Sequence, residues 1–436
     1  MRAARLRRWL AALIVCQFAA GGAGAVSPEN AGTPPAKVAA TDIHPAPDRS
    51  DTDCIGAHGL DSCAETPRKI RSWSIENDAW GRVFHPTDRN YTMGVPVTEI
   101  VRGKPSGTVW RALWSVSHGW NNLLGEQSDP DQEEVSQWGW GNSTFTPRNL
   151  RTAAPLFDDR PYASLLYVAG GYTTNTAFLS DSLPLTWPRL AKTTVLEVGV
   201  LGTNVSRNVQ TAIHRRCCVN DIPKGWDNQI GQGGSPTFLL SEALTLNTPM
   251  AESLYGRTAA RASVGAECGY RCGIFANSTI AIGTTLDDLT YALSSTAPQV
   301  TNPVSLQAWN DAPQSGRAFG YSAPAQGLGG YLTIAGELVA YNELLQGAWT
   351  GTNNVTIPFS QARHAIGSAT LGIDLSFLTR LVCDGWRYAF SSPGDPNACA
   401  PHVHYYLVQG WHSRDMKNST EGSHYWGGIK FTYDID

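Results

Sequence analysis

The chain has 436 residues, with 33 Lys and Arg against 37 Asp and Glu, for a formal net charge of −4. That balance gives no basic field of the kind nucleic-acid binding needs, so a nucleic-acid partner is excluded. A charged fraction of only 16%, beside 15 Trp, 15 Tyr, 43 Gly and 26 Pro, points to turns, short strands and aromatic belts.

The chain opens with Arg2, Arg5, Arg7 and Arg8, then an apolar run from Trp9 to Ala20 and the small pair Gly24-Ala25. This three-part form is that of a secretory signal peptide over residues 1–25. A segment rich in Pro, Ala, Asp and Ser follows over 26–66; with little apolar periodicity it reads as a disordered leader, and the folded domain is expected over 67–436. Eight cysteines lie beyond the signal segment: Cys54, Cys63, Cys217, Cys218, Cys268, Cys272, Cys383 and Cys399. An even number suits an oxidising compartment, and 54–63, 268–272 and 383–399 are the natural pairings, although spacing alone does not fix connectivity.

From Lys69 onward no apolar run approaches the roughly 18–20 residues of a membrane-spanning helix. Segments of about ten residues recur instead. They fall at 69–78, 90–102, 136–145, 161–174, 193–203, 234–246, 257–268, 272–284, 316–325, 329–343, 366–380, 402–413 and 423–434. Each alternates apolar with polar or small residues and places aromatics toward its ends, as from Tyr331 to Tyr341 and from His404 to Trp411. Two architectures fit: an outer-membrane β-barrel, and a large secreted sandwich or propeller. Period-2 alternation does not separate a lipid-facing apolar side from a core-facing one. The last strand ends Phe431-Thr-Tyr-Asp-Ile-Asp436, without the terminal aromatic usual in outer-membrane barrels.

Three stretches could carry chemistry. In the first, Ser74 to Asp78 is followed by Thr87 to Gly94; an irregular turn would gather Asn77 and Asp78 with the run from Asp88 to Thr92. Such oxygen donors suit a hard cation such as calcium, and a plain polar hairpin turn accounts for the same residues. In the second, a strand from Leu196 to Leu201 leads to Asn204, an N-cap residue, after which Val205, Val209, Ala212 and Ile213 recur at helical spacing. Gln210 and His214, four apart, then project from one face, as a candidate site or as solvated surface residues. The helix is followed by Lys224-Gly225-Trp226-Asp227-Asn228-Gln229, an unusually particular loop. In the third, Asp158-Asp-Arg-Pro-Tyr-Ala163 carries Arg160, either as a phosphate ligand or, the favoured reading, paired with Asp159 as structure. Lys224 and Arg215 flank the helix and could meet phosphates or be solvated.

These residues resemble the outer-membrane lipid A 3′-O-deacylase family. The similarity rests on Glu76-Asn77-Asp78, Asp88 to Gly94, Phe145-Thr-Pro147, Asp158 to Ala163, Gln210-xxx-His214 with Gly225 to Gln229, and Val339 to Gly347, in order from about residue 70 to the C-terminus. The resemblance implies an all-β fold: an antiparallel transmembrane β-barrel of about twelve strands with a short helix in an outer loop. It implies an active site between the barrel wall and that helix, with His214 as the general base activating water and Gln210 lining the same site. Asn77, Asp78 and Thr92 would position a calcium ion, Ca2+, with Asp221 where the family has an acidic residue after the histidine. Arg160 and Lys224 would be substrate-binding. The implied partner is lipid A of lipopolysaccharide in the outer leaflet, acted on by a membrane-embedded monomer in the bacterial outer membrane. Departures are the Cys217-Cys218 pair beside Asn220 and Asp221, the leader, and the stretch 284–316. The alternatives are a non-catalytic barrel and a barrel phospholipase; the latter usually carries a Ser-His-Asn arrangement, and no serine stands out as its nucleophile.

Overall fold

The computed structural model describes residues 69–78, 90–102, 104–123, 135–175, 189–217, 222–247, 251–253, 256–283, 329–375, 403–417 and 423–435. All lie in the second of two units, Pro67–Asp436. The signal segment, the leader, Asp88, Asp221, the expected strand 316–325 and the pairings of Cys54, Cys63, Cys383 and Cys399 lie outside the described residues.

In chain order the elements are β1 (Lys69–Asn77), β2 (Asn90–Gly94), β3 (Val97–Arg102), α1 (Thr108–Leu123), β4 (Val135–Thr146), β5 (Ala163–Asn175) and β6 (Arg189–Leu201). Then come α2 (Asn204–Cys217), β7 (Ile230–Gln232), β8 (Ser235–Asn247), β9 (Ala251–Ser253), β10 (Gly256–Gly269), β11 (Arg271–Gly283) and β12 (Gly329–Asn342). The short α3 (Glu343–Gln346), β13 (Thr352–Asn353), β14 (Ala365–Asp374), β15 (Val403–His412) and β16 (His424–Ile435) complete the chain. Apart from 316–325, each segment expected from alternation is a strand; α1 is a helix that the alternation did not announce.

Neighbours along the chain pair antiparallel, β1 pairs β16 and β10 pairs β11, so a 14-stranded sheet closes on itself. Since β2 and β3 form one bent stave and β9 only extends the sheet beside β10, fourteen strands make the 12 staves of a closed barrel. Closure leaves no open edge in the main sheet.

The two faces differ in chemistry, which settles the choice left open by alternation. Outward positions carry Val264, Ile274, Ile280, Ile334, Leu338 and Leu407, each about half exposed or more. Inward positions pair hydroxyls across neighbouring strands: Ser72 with Thr432, Thr173 with Thr193, Thr245 with Ser263 and Thr279 with Thr333, all at 2.8–2.9 Å. Arg271 bridges Glu267 and Glu337 in the same interior, and Asp374 meets His404. An apolar exterior around a polar interior is what a barrel in lipid requires, the reverse of a sandwich core.

One end of the barrel, carrying the loops after β1, β4, β6, β12 and β15, is capped. There Phe145, Leu165, Tyr167, Leu201, Ile230, Tyr270 and Leu344 form an apolar cluster. β7 pairs with β13, and Asn353 Oδ1 accepts from the backbone N–H of both Gly231 and Ala348, locking the loop after β6 to the loop after β12. Cys268 and Cys272 are joined across the β10–β11 turn, as expected from their spacing.

Candidate active site

The outer wall near the capped end is polar where most of the belt is apolar. Asn77 ends β1 four residues after Trp73, so both lie on one face. That face is the outer one: Trp73 stacks on Phe431, and Phe431 meets Tyr405, two positions before the exposed Leu407. Around the wall, Asn77 is opposite Met93, Met93 opposite Thr144, and Thr144 opposite Ser164. Directly opposite residues share a face, so β1, β2, β4 and β5 present these side chains outward at one level. Thr92 is the extra residue of a β-bulge between Tyr91 and Met93. The bulge turns it toward the same face, where its Oγ1 lies 2.6 Å from that of Thr146.

Helix α2 docks on this patch. The chain leaves β6 through Gly202 at φ +72°, where a Cβ would stand 1.9 Å from the Gly231 carbonyl oxygen, so only glycine fits the crossing. Ser206, in the first turn, accepts from Thr144 Oγ1 at 2.7 Å, lies 2.8 Å from Ser164 Oγ and donates to Asn142 Oδ1 at 3.2 Å. Among the described side chains of α2 the buried ones are Ser206, Gln210 and His214, at 0%, 3% and 6% exposure, spaced i, i+4, i+8. Val205 is 41% exposed. Of the two readings left open for Gln210 and His214, the buried one holds: the polar stripe faces the wall, and His214 is not a solvated surface residue.

The loop after the helix holds it in place. Trp226 is 1% exposed, packs on Tyr162 at 4.7 Å and clusters with Leu150. Its indole N–H donates to Gln210 Oε1 at 3.1 Å. A side chain at Gly225 would strike the Tyr162 ring at 2.6 Å. Asp227 pairs with Arg207 of α2 at 2.7 Å, and Asn228 Nδ2 donates to the Ala153 carbonyl. The motif from Gly225 to Asn228 is therefore a clasp, and Gln210 is one of its two contact points.

Arg160 is held in the structural manner favoured from the sequence, but its partner is not Asp159. Its guanidinium is 3% exposed, stacks over Phe145 at 4.3 Å and pairs with Asp415 at 3.1 Å; Asp159 takes the backbone N–H groups of Arg148 and Arg160 instead. Burial pulls the Arg160 pKa down, and the charges of Asp415 and then Asp159 oppose that shift. The enclosed guanidinium joins the loop before β5 to the loop after β15. Asp415→Ala, which strands this buried charge, is expected to cost about 3–5 kcal/mol, most of it recovered when Arg160→Met is added. Thermal unfolding of the parent and the two variants in detergent checks this; no recovery in the double variant contradicts it.

Asp78 is 1% exposed at the end of β1, and Lys224 is exposed, with its backbone N–H on the Leu150 carbonyl. Among the described residues no three His, Cys, Asp or Glu side chains gather as a metal group. Asn77, Asp78 and Thr92, expected to position a cation, are all buried near the ends of β1 and β2, and their amide, carboxylate and hydroxyl oxygens are of the type that suits a hard cation and not a soft one. Ser206, Asn142, Thr144, Thr146 and Ser164 were not anticipated from the sequence. A polar period of four continuing from His214 back to Ser206 was the legible signal for the first of them.

A closed antiparallel barrel, apolar outside and polar within, with a polar site between its outer wall and a loop helix, defines an outer-membrane β-barrel protein. The family model described as "Outer membrane protein LpxR" matches residues 52–390, and the chain belongs to that family and to the bacterial outer membrane. Among solved structures, LpxR from Salmonella typhimurium is similar at TM-score 0.52 and 15% identity, over 84% of this chain and 99% of that one. The β domain of the Bordetella autotransporter BrkA aligns at TM-score 0.34 and 8% identity over 85% and 98%, and the translocator domain of NalP from Neisseria meningitidis at 0.29 and 8% over 84% and 87%. No curated protein matches the sequence.

Proposed function

We propose that the protein is a calcium-dependent hydrolase that removes the 3′-linked acyloxyacyl chain from lipid A of lipopolysaccharide. The observation that carries this reading is the wholly polar buried stripe Ser206, Gln210 and His214, pressed on an outer wall that meets lipid. The stripe meets the hydroxyls of Thr144 and Ser164 and the amide of Asn142 on the wall, so the seam between helix and barrel is polar and suits a water and an ester rather than acyl chains alone. The family resemblance supplies the substrate.

The groups suit attack by water. His214 takes the proton as the water oxygen adds to the ester carbonyl, and returns it to the departing sugar oxygen as the C–O bond breaks, giving a free acid and an alcohol. Ser206 is not a nucleophile for this base: it and His214 are eight residues apart, about 12 Å of helical rise, beyond any hydrogen bond. Gln210, held by Trp226, fixes the turn that carries His214. Asn77, Asp78 and Thr92, joined by Asp221, would hold the calcium ion, which when bound supplies positive charge for the oxyanion of the tetrahedral intermediate. Lys224, at the surface, would meet a lipid A phosphate.

Incubating the purified protein with a calcium chelator is expected to abolish release of 3′ chains from lipid A, and excess calcium, but not zinc, to restore it. Undiminished release under chelation sinks the cation's part in this reading.

A further inference from the structure

The apolar belt is interrupted on β5 and β6. Outward positions there hold Gly170, Tyr172, Thr194 and Lys192, small or polar, and Tyr172, Thr194 and Lys192 are buried at 1%, 1% and 8%. On the next strand Leu244, opposite Lys192, and Leu246 are again exposed at 43% and 41%. What covers the gap is α1.

The helix has three sides. Toward the wall it turns Leu113, Trp114 and Ser117, all buried; Ser117 Oγ lies 3.1 Å from the Gly170 carbonyl, and Trp110 stacks on Trp138 at 4.5 Å. Arg111 and Ser115 form an exposed polar side. Between these sides, at spacings of three and four, run Val109, Ala112, Val116 and Trp120; the valines are 57% and 56% exposed and Trp120 41%. That third side continues the lipid-facing surface of β8, β10 and β11 across the strands where the wall lacks one. An apolar stripe between a docked side and a polar side is the pattern of a helix lying in a membrane interface, with Trp at the headgroup level. Lys104 lies against it, its Nζ 5.2 Å from the Trp114 ring, and with Arg111 offers positive charge to phosphates.

We infer that α1 is seated in the membrane and packs Val109, Val116 and Trp120 among the acyl chains of the glycerophospholipid leaflet, at the barrel end opposite the capped one. The choice of leaflet rests on the proposed function, which puts the capped end in the lipopolysaccharide leaflet; the seating of the helix does not.

The test places photoreactive benzoylphenylalanine singly at Val116, Ser115 or Phe238 in the full chain, irradiates outer membranes and identifies adducts by mass spectrometry. Phe238, exposed at the capped end of β8, marks the other leaflet. The expected result is phospholipid on Val116, lipopolysaccharide on Phe238 and no lipid on Ser115. In Gly170→Val, whose new Cβ would stand 2.6 Å from Leu113 Cβ and push the helix off the wall, the Val116 adduct is lost and the Phe238 adduct kept. A protein adduct on Val116, or no lipid there while Phe238 is labelled, overturns the inference. Lipopolysaccharide on Val116 overturns the leaflet and the orientation the proposed function needs. Failure of deacylation alone leaves the Val116 adduct in place, so the two readings fail separately.

Discussion

In His214→Ala, release of 3′ acyl chains by folded protein is expected to fall by about 10²–10⁴-fold, the usual worth of a positioned general base. The loss should appear in kcat rather than KM, because in the proposed mechanism the imidazole would act on the attacking water and not on the bound chains. The fold should survive. His214 lies on a loop helix outside the sheet, and every stave of the barrel pairs without it. Heat-modifiable migration on a gel, a property of intact barrels, separates lost chemistry from lost structure. Full activity with His214 removed contradicts the mechanism, whatever lipid is the substrate.

Trp226→Ala is expected to abolish activity by a different route. The indole is 1% exposed, and removing so large a buried side chain costs about 3–5 kcal/mol where the site does not collapse. It also leaves Gln210 Oε1 without the N–H that meets it at 3.1 Å, worth a further 1–3 kcal/mol or so. Both losses fall on the clasp between α2 and the loop packed on Tyr162, not on the barrel, so α2 should loosen while the barrel stays intact. Limited proteolysis would then cut near α2 in Trp226→Ala and not in the parent. Trp226→Phe, which keeps most of the packing and removes only the indole N–H, is expected to fall between them. Equal activity in all three would show that the clasp does not position the site.

The strands were legible because a barrel wall meets lipid on one side and a polar interior on the other, so each stave alternates strongly, as from Tyr331 to Tyr341. Which side was which was not legible, since alternation has the same period either way round. Helix α2 announced its period, but its facing had two readings, a site face or a solvated one, because Val205, Val209 and Ile213 offered a second stripe; the wall took Ser206, Gln210 and His214. Helix α1 was hidden because its apolar residues divide into two stripes, one for the wall and one exposed, with Gly107 and Gly119 at its start and within it. The partner of Arg160 lies 255 residues away, and no local pattern names a residue so remote. The adjacent Asp159 was the nearer guess, and its carboxylate serves backbone N–H groups.

Cleavage of lipid A at the outer wall by a histidine on α2 is open to a direct test. Mass spectrometry of lipid A from cells expressing the intact chain, beside cells expressing His214→Ala at equal membrane abundance, tests it most directly. Lipid A lighter by the 3′-linked acyloxyacyl group is expected in the first cells and lipid A of full mass in the second. Full-mass lipid A in both, with the barrel folded in the outer membrane and calcium present, would contradict it.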